Sequence, residues 1–145
     1  MLYWRNSPVE GKYMGNQISH NKKFKFSGHD TFPLRYGWLY KMVQEGAKGD
    51  SFTNLDQDMI KYGVGKNMVT AMKHWGRSFG ILSKECKTVT QFGESIFGEN
   101  GYDKYLEDDA TLWILHWKLA RAISTNTVWW WAFNIFPDLY FDKRI

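Results

Sequence analysis

Three groups of residues have the types and spacing to do chemistry. Ser27, His29 and Asp30 stand close together in the run FSGHDTFP at 26–33 and supply a nucleophile, a base and a carboxylate. A hydrolytic triad needs the base to meet the nucleophile across space, with the third group orienting it. Neighbours in an extended loop mostly point apart. The run is therefore read as a structured strap in which Ser27 or Asp30 turns the chain while Phe24, Phe26 and Phe32 anchor it to the core. An enzyme built on this loop is the most distant of the readings; no catalytic residue is assigned and the chain is expected not to be an enzyme.

The second group is the titratable and phosphate-binding inventory. His20, His29, His74 and His116 show neither the helical His-x-x-x-His pairing nor the nearby carboxylate of a zinc site. Cys86 is the single cysteine, so no intramolecular disulfide or thiolate cluster can form, which fits a reducing cytoplasm. Gly63 to Lys66 has the residue types of a phosphate loop, but Lys66 is followed by Asn67, and the full Gly-x-x-x-x-Gly-Lys-Ser/Thr spacing is missing. Neither a metal nor a cofactor is expected.

The third group is a basic stripe. On a helical wheel from Lys66 to Phe79, the residues Met68, Val69, Met72, Trp75 and Phe79 share one side, and Lys66, Thr70, Lys73 and Arg77 form a narrow stripe opposite. Asn67, Thr70 and His74 are placed to reach base edges. Lys66, Lys73 and Arg77 suit phosphates, where fixed cations displace condensed counterions whatever the sequence. Lys84 and Lys87 would meet the adjacent backbone. Against this stands the plain reading of the same stripe as a solvated helix face, since many winged-helix modules bind proteins and not DNA.

The elements that must hold these groups are mostly helical. Pro33 and Gly37 lead into a helix over about Tyr36 to Glu45. Asp50, Thr53 or Asn54 caps a short helix in which Leu55, Met59, Ile60 and Tyr62 recur at helical steps before Gly63. The turn Gly63-Val64-Gly65 delivers the stripe-bearing helix, with Gly80 past its end. Ile81-Leu82 and the alternating Lys87-Thr88-Val89-Thr90 predict the two strands of a small hairpin, followed by a helix over Gln91 to Phe97. Asp108 or Asp109 caps a helix from about Ala110 to Ile123, apolar on nearly every side and so expected to be buried, and a last helix runs over Thr127 to Phe136 before Pro137.

At 145 residues, with a net charge of +4 and an aromatic share of 18%, the chain is expected to form one core rather than several domains. The charge is too small to diagnose nucleic-acid binding by itself, but the basic residues concentrate between Lys61 and Lys87 while Glu94 to Asp109 is mainly acidic. Residues 1–23 lack the apolar core of a signal peptide and are read as a flexible leader. The apolar stretch Thr111 to Phe136 is interrupted by His116, Lys118, Arg121 and the run Ser124 to Thr127, so no membrane helix is expected. Trp113, Trp117 and the triplet Trp129-Trp130-Trp131 are either platforms for single-stranded bases or, as favoured, core and protein interface.

The run Phe26 to Trp38, FSGHDTFPLRYGW, resembles the opening signature of the bacterial domain of unknown function 4007 family. GVGKNM at 63–68, TQFGESIF at 90–97, YDKYLEDDATLWILHW at 102–117 and the aromatic stretch from Trp129 to Pro137 are similar to later blocks of that family, in order. The resemblance implies a helical protein containing a winged helix, found near phosphosulfate-reductase-like genes in a neighbourhood tied to DNA sulfur modification and anti-phage defence. Members of that family are longer chains, so this one is expected to be a truncated member or a fragment.

The expected fold is mainly α: a winged helix-turn-helix at about 53–97 with a small β-hairpin wing, inside one domain at 24–145 that adds a tryptophan-rich C-terminal helical pair at about 108–136. The expected function is that of a non-enzymatic DNA-binding accessory protein with double-stranded DNA as partner. The alternative is a protein-protein interaction module of such a modification or defence complex, working through Trp129, Trp130 and Phe133, with a second copy of the chain as one candidate partner.

Overall fold

The computed structural model describes residues 24–49, 52 and 54–136. The leader assigned to 1–23, the alternative caps Asp50 and Thr53, and Pro137 lie outside the described residues. Six helices follow in order: α1 (Trp38–Gly46), α2 (Leu55–Tyr62), α3 (Lys66–Ser78), α4 (Gln91–Phe97), α5 (Asp109–Arg121) and α6 (Thr127–Asn134).

The caps explain most of the boundaries. Asn54 accepts from the amides of Asp56 and Gln57, at 3.0 and 3.3 Å, and starts α2. Thr90 accepts from Gly93 N at 3.1 Å and starts α4, and Asp108 accepts from Ala110 N at 2.8 Å and starts α5.

Helix α3 is the centre of the molecule. It packs against α1 and α2, and α1 also packs against α4. Leu39, Met42 and Val43 of α1 meet Val69, Ala71, Met72 and Trp75 of α3 in one core, closed by Ile81, Leu82, Ile96 and Phe97. Gly76 is small because it must be: a Cβ there would stand 2.7 Å from Leu82 Cδ1 and 3.0 Å from Met42 Sδ, so its absence lets the chain leaving α3 fold back tightly.

The two strands expected at Ile81-Leu82 and Lys87 to Thr90 do not form. A single antiparallel bridge joins Leu82 and Val89. The amides of Ile81 and Leu82 both return to Gly76 O, at 2.8 and 3.0 Å, and are lost to any ladder. The backbone–backbone bonds that cross the hairpin are Thr90 N to Ile81 O and Ser83 N to Thr88 O, and Cys86 sits at φ 58 in its tip. The arms are too short to count as strands.

Helices α5 and α6 pack on each other. Contrary to the expectation of a buried helix, α5 buries only Thr111, Leu115 and Leu119 and turns Leu112, Trp113, Ile114 and Trp117 outward. Its approach is fixed by Asp103, whose carboxylate accepts from Glu107 N at 2.8 Å and Asp108 N at 3.2 Å. Burial pushes this carboxyl up, but the hydrogen bonds from Glu107, Thr111, Asp108 and Leu106 outweigh it, and the net shift is down. Asp103→Ala is expected to cost about 1–2 kcal/mol, because two loop amides lose their acceptor. Because the folded-state value is depressed, this contribution is present above the ordinary aspartate range and lost as pH falls through it; urea unfolding at pH 7 and pH 3 checks both statements.

Candidate nucleic-acid interface

The link between α2 and α3 is built by glycine. Gly63, at φ 62, lets its own amide reach Ile60 O and that of Val64 reach Met59 O, which closes α2, and the chain turns directly into α3. Gly65 occupies the N-cap of α3 in an extended conformation and has no side chain to offer the first-turn amides. Lys66, Asn67 and Thr70 are exposed on that first turn and a half, with Thr70 Oγ1 donating to Lys66 O at 3.3 Å. The N-terminus of α3 is thus open, carries no acidic residue in its first turn and presents a lysine. Backbone amides and a macrodipole of this kind favour a phosphate oxygen.

Further along α3 the stripe sinks into the protein. Lys73 and Arg77 are half-buried, and Lys73 Nζ lies 5.5 Å from the centre of the Phe52 ring. The hairpin tip packs beside them through Cys86, whose Sγ is 3.8 Å from Lys73 O. Burial raises the Cys86 thiol, with Arg77 and Lys73 pulling the other way. Lys84 and Lys87 are exposed on the same tip. The structure therefore brings Lys73, Arg77, Lys84 and Lys87 around one corner, where the hairpin tip meets the second half of α3.

His74 does not belong to the base-reading set assigned to it. It is 3% exposed, its Nε2 is 2.9 Å from Asn126 Oδ1, and it is packed edge-on against His29 and Trp75. The cause is the segment before α1. Lys25 N donates to Thr127 Oγ1 at 2.7 Å and Lys25 O accepts from Thr127 N, which pins the strap to the start of α6. The His29 ring then stacks on Trp75, and Trp75 Nε1 donates to Phe32 O at 3.0 Å.

The strap reading holds, but its anchors differ from those expected. Phe24 and Phe26 point to solvent, Phe32 packs on the core, and His29 and the Lys25 backbone do the rest. Ser27 and Asp30 are both exposed. Lys25, Asn126 and Thr127 carry no motif in the sequence, and the only hint was the density of turn residues around Gly28.

The aromatic end is largely open. Trp129 is 40% and Phe133 55% exposed, while Trp130 is half-buried. His116 of α5 meets the Phe133 ring at 4.5 Å and the Trp113 ring at 6.0 Å, which ties α5 and α6 into one surface.

A family model described as "Protein of unknown function (DUF4007)" matches residues 26–144. The chain belongs to the DUF4007 family. Two solved structures are similar to it, a magnesium ion-bound SspB and SspB alone, with TM-scores of 0.66 and 0.64. Each is 32% identical over 78% of this DUF4007 chain, which spans 37% of the SspB chain. No curated protein matches. Among the described residues no group of three or more His, Cys, Asp and Glu side chains is placed to hold a metal ion. Among the described residues no helix is long and apolar enough to cross a membrane.

Proposed function

We propose that this DUF4007 chain is a non-enzymatic DNA-binding accessory protein of a bacterial DNA sulfur-modification or anti-phage defence system, working in the cytoplasm. In this reading residues 53–97 act as a winged helix-turn-helix, with α3 as recognition helix and the tip at Lys84 to Lys87 as a minimal wing. The observation that carries it is the open, glycine-led start of α3 with Lys66, Asn67 and Thr70 exposed. The wing lysines and the half-buried Lys73 and Arg77 support it from the other end of the same helix. Likeness to SspB and to the family lends the biological setting.

The geometry divides the labour. Lys66 and the free amides of the first turn suit a phosphate, whereas Asn67 and Thr70 are the side chains able to meet base edges. Lys66→Ala is expected to weaken binding to every duplex alike. Asn67→Ala is expected to cost about 1–3 kcal/mol on a preferred site and little elsewhere. Fluorescence anisotropy on a selected duplex and a scrambled one reads the difference. Equal losses on both duplexes for Asn67→Ala would remove it from the base-reading set.

A second reading has its own observation. The outward rings of Trp113, Trp117, Trp129, Trp131 and Phe133 make α5 and α6 apolar on the solvent side, which in a monomer marks a contact surface. In that reading the chain docks a protein of the complex or a second copy of itself through Trp129, Trp130 and Phe133, with no DNA contact. Sedimentation of the chain alone at rising concentration tests self-association, and a Trp129→Ser variant that self-associates as the parent does would exclude this face from the contact between copies.

A further inference from the structure

Four exposed residues of α5 stand at four-residue steps: Asp109, Trp113, Trp117 and Arg121. On a helix such a set forms one ridge inclined to the axis, and this one lies opposite the buried stripe of Thr111, Leu115 and Leu119. Its chemistry is an acid at one end, two indoles in the middle and a base at the other. Turned end for end about its midpoint, the ridge matches itself: Asp109 meets Arg121 twice, and Trp113 meets Trp117 twice. A two-fold contact between identical chains requires self-complementarity of this kind.

The charged ends are available for pairing. Helix α5 is capped by Asp108, which accepts from Ala110 N at 2.8 Å, so the Asp109 carboxylate is not spent on the cap. Among the described residues neither Asp109 nor Arg121 makes an ion pair. The Arg121 guanidinium lies 4.7 Å from the centre of the Trp117 ring, which holds it along the ridge. From Ala110 to Phe136 the sequence has no Asp or Glu, so neither the rest of α5 nor α6 offers this arginine a carboxylate. The acid of its own ridge is about 18 Å away along the axis at 1.5 Å per residue, too far to pair within one helix.

The middle of the ridge opens onto a wider apolar patch. Trp113 is 71% and Trp117 55% exposed. His116 links them to α6, with ring contacts of 6.0 Å to Trp113 and 4.5 Å to Phe133, and Phe133 reaches Trp129 at 5.9 Å. At about 150–250 Å² for a buried aromatic side chain, Trp113, Trp117, Trp129 and Phe133 leave on the order of 300–550 Å² in water. Leu112, Ile114 and Val128, exposed at the margins, bring the patch near the roughly 800 Å² that each partner gives to a standard interface. An aromatic centre with its charges at the rim is the make-up of such an interface.

We propose that two copies of this chain associate through α5, antiparallel across a two-fold axis midway between Trp113 and Trp117. The Asp109 carboxylate of each copy pairs with the Arg121 guanidinium of the other, and Trp113 packs against Trp117 in both halves. Because the ridge follows four-residue steps, the two α5 helices cross at about −50°. The proposal rests on the contact face of the second reading above and names its partner; it does not depend on DNA contact at the start of α3.

Sedimentation equilibrium of the full chain gives the dimer dissociation constant, and circular dichroism checks that each variant keeps its helices. Trp113→Ser, at an exposed position, should weaken the dimer at least about tenfold. Asp109→Arg and Arg121→Asp each set like charges against one another and should do the same, most strongly at low salt. Both substitutions in one chain should restore the native constant, and mixing the two single variants should give a heterodimer in which both pairs are regained. Dissociation by Trp113→Ser with no effect of either charge reversal would overturn the antiparallel pairing while the contact face stands. Indifference to Trp113→Ser as well would remove the face along with the pairing. A chain that stays monomeric at every concentration would overturn the proposal and leave the face to a different protein of the complex.

Discussion

Trp75→Ala is expected to lower the unfolding free energy by about 3–5 kcal/mol and the melting temperature by more than about 10 °C. Trp75 is a buried residue of α3 that touches three other rings: His29 at 5.6 Å, His74 at 5.3 Å and Phe79 at 5.9 Å between centroids. Its indole N–H also holds Phe32 O at 3.0 Å, so the same side chain fills the core and fastens the strap. Truncation leaves a cavity, an unpaired carbonyl and a strap without its stacking partner. Trp75→Phe separates these effects, since it keeps a ring in the core and loses only the donor, at about 1–2 kcal/mol. Denaturant unfolding of both variants gives the comparison. A loss below about 1 kcal/mol for Trp75→Ala would mean that the strap does not depend on this residue.

Stability is expected to fall as pH drops from about 6.5 to about 4, by on the order of 2–3 kcal/mol, because of His74. Burial pushes its imidazole down from 6.5 to about 4; the hydrogen bond to Asn126 opposes the shift, and Lys25, His29 and Arg77 add to it. The unfolded chain therefore takes up a proton in this window before the folded chain does. The contribution is complete above 6.5, is lost through the window and changes no further below about 4. Urea unfolding at half-unit pH steps measures it, and His74→Gln should flatten the profile while keeping a polar group against Asn126. A parent profile that is flat between pH 6.5 and 4.5 would contradict the buried, neutral imidazole.

The central helices were legible because their boundaries are local. Asn54, Thr90 and Asp108 cap within three residues of themselves, and the glycine pair around Val64 sets the turn wherever the rest of the chain lies. The core face of α3 followed from its period, with Val69, Met72, Trp75 and Phe79 buried as the wheel requires.

What escaped is set by distant partners. His74 lies on the polar side of α3 by type, but Asn126, 52 positions on, and the strap close over it. The hairpin alternates as a strand should, yet Gly76 O takes the amides of Ile81 and Leu82 that a ladder would need. The outward aromatics of α5 misled because a helix that is apolar all round is ordinarily buried, whereas α5 buries only the stripe Thr111, Leu115 and Leu119.

Whether the start of α3 and the hairpin tip meet DNA is decided by the salt dependence of duplex binding. The native chain and a Lys66→Ala, Lys84→Ala, Lys87→Ala variant, matched in melting temperature, are titrated with duplex DNA across a range of salt concentrations. The native chain is expected to show a clear negative slope of log affinity against log salt, shallower in the variant by about 0.9 for each phosphate contact removed. Absence of duplex binding by the native chain, or a slope the variant leaves unchanged, would contradict it.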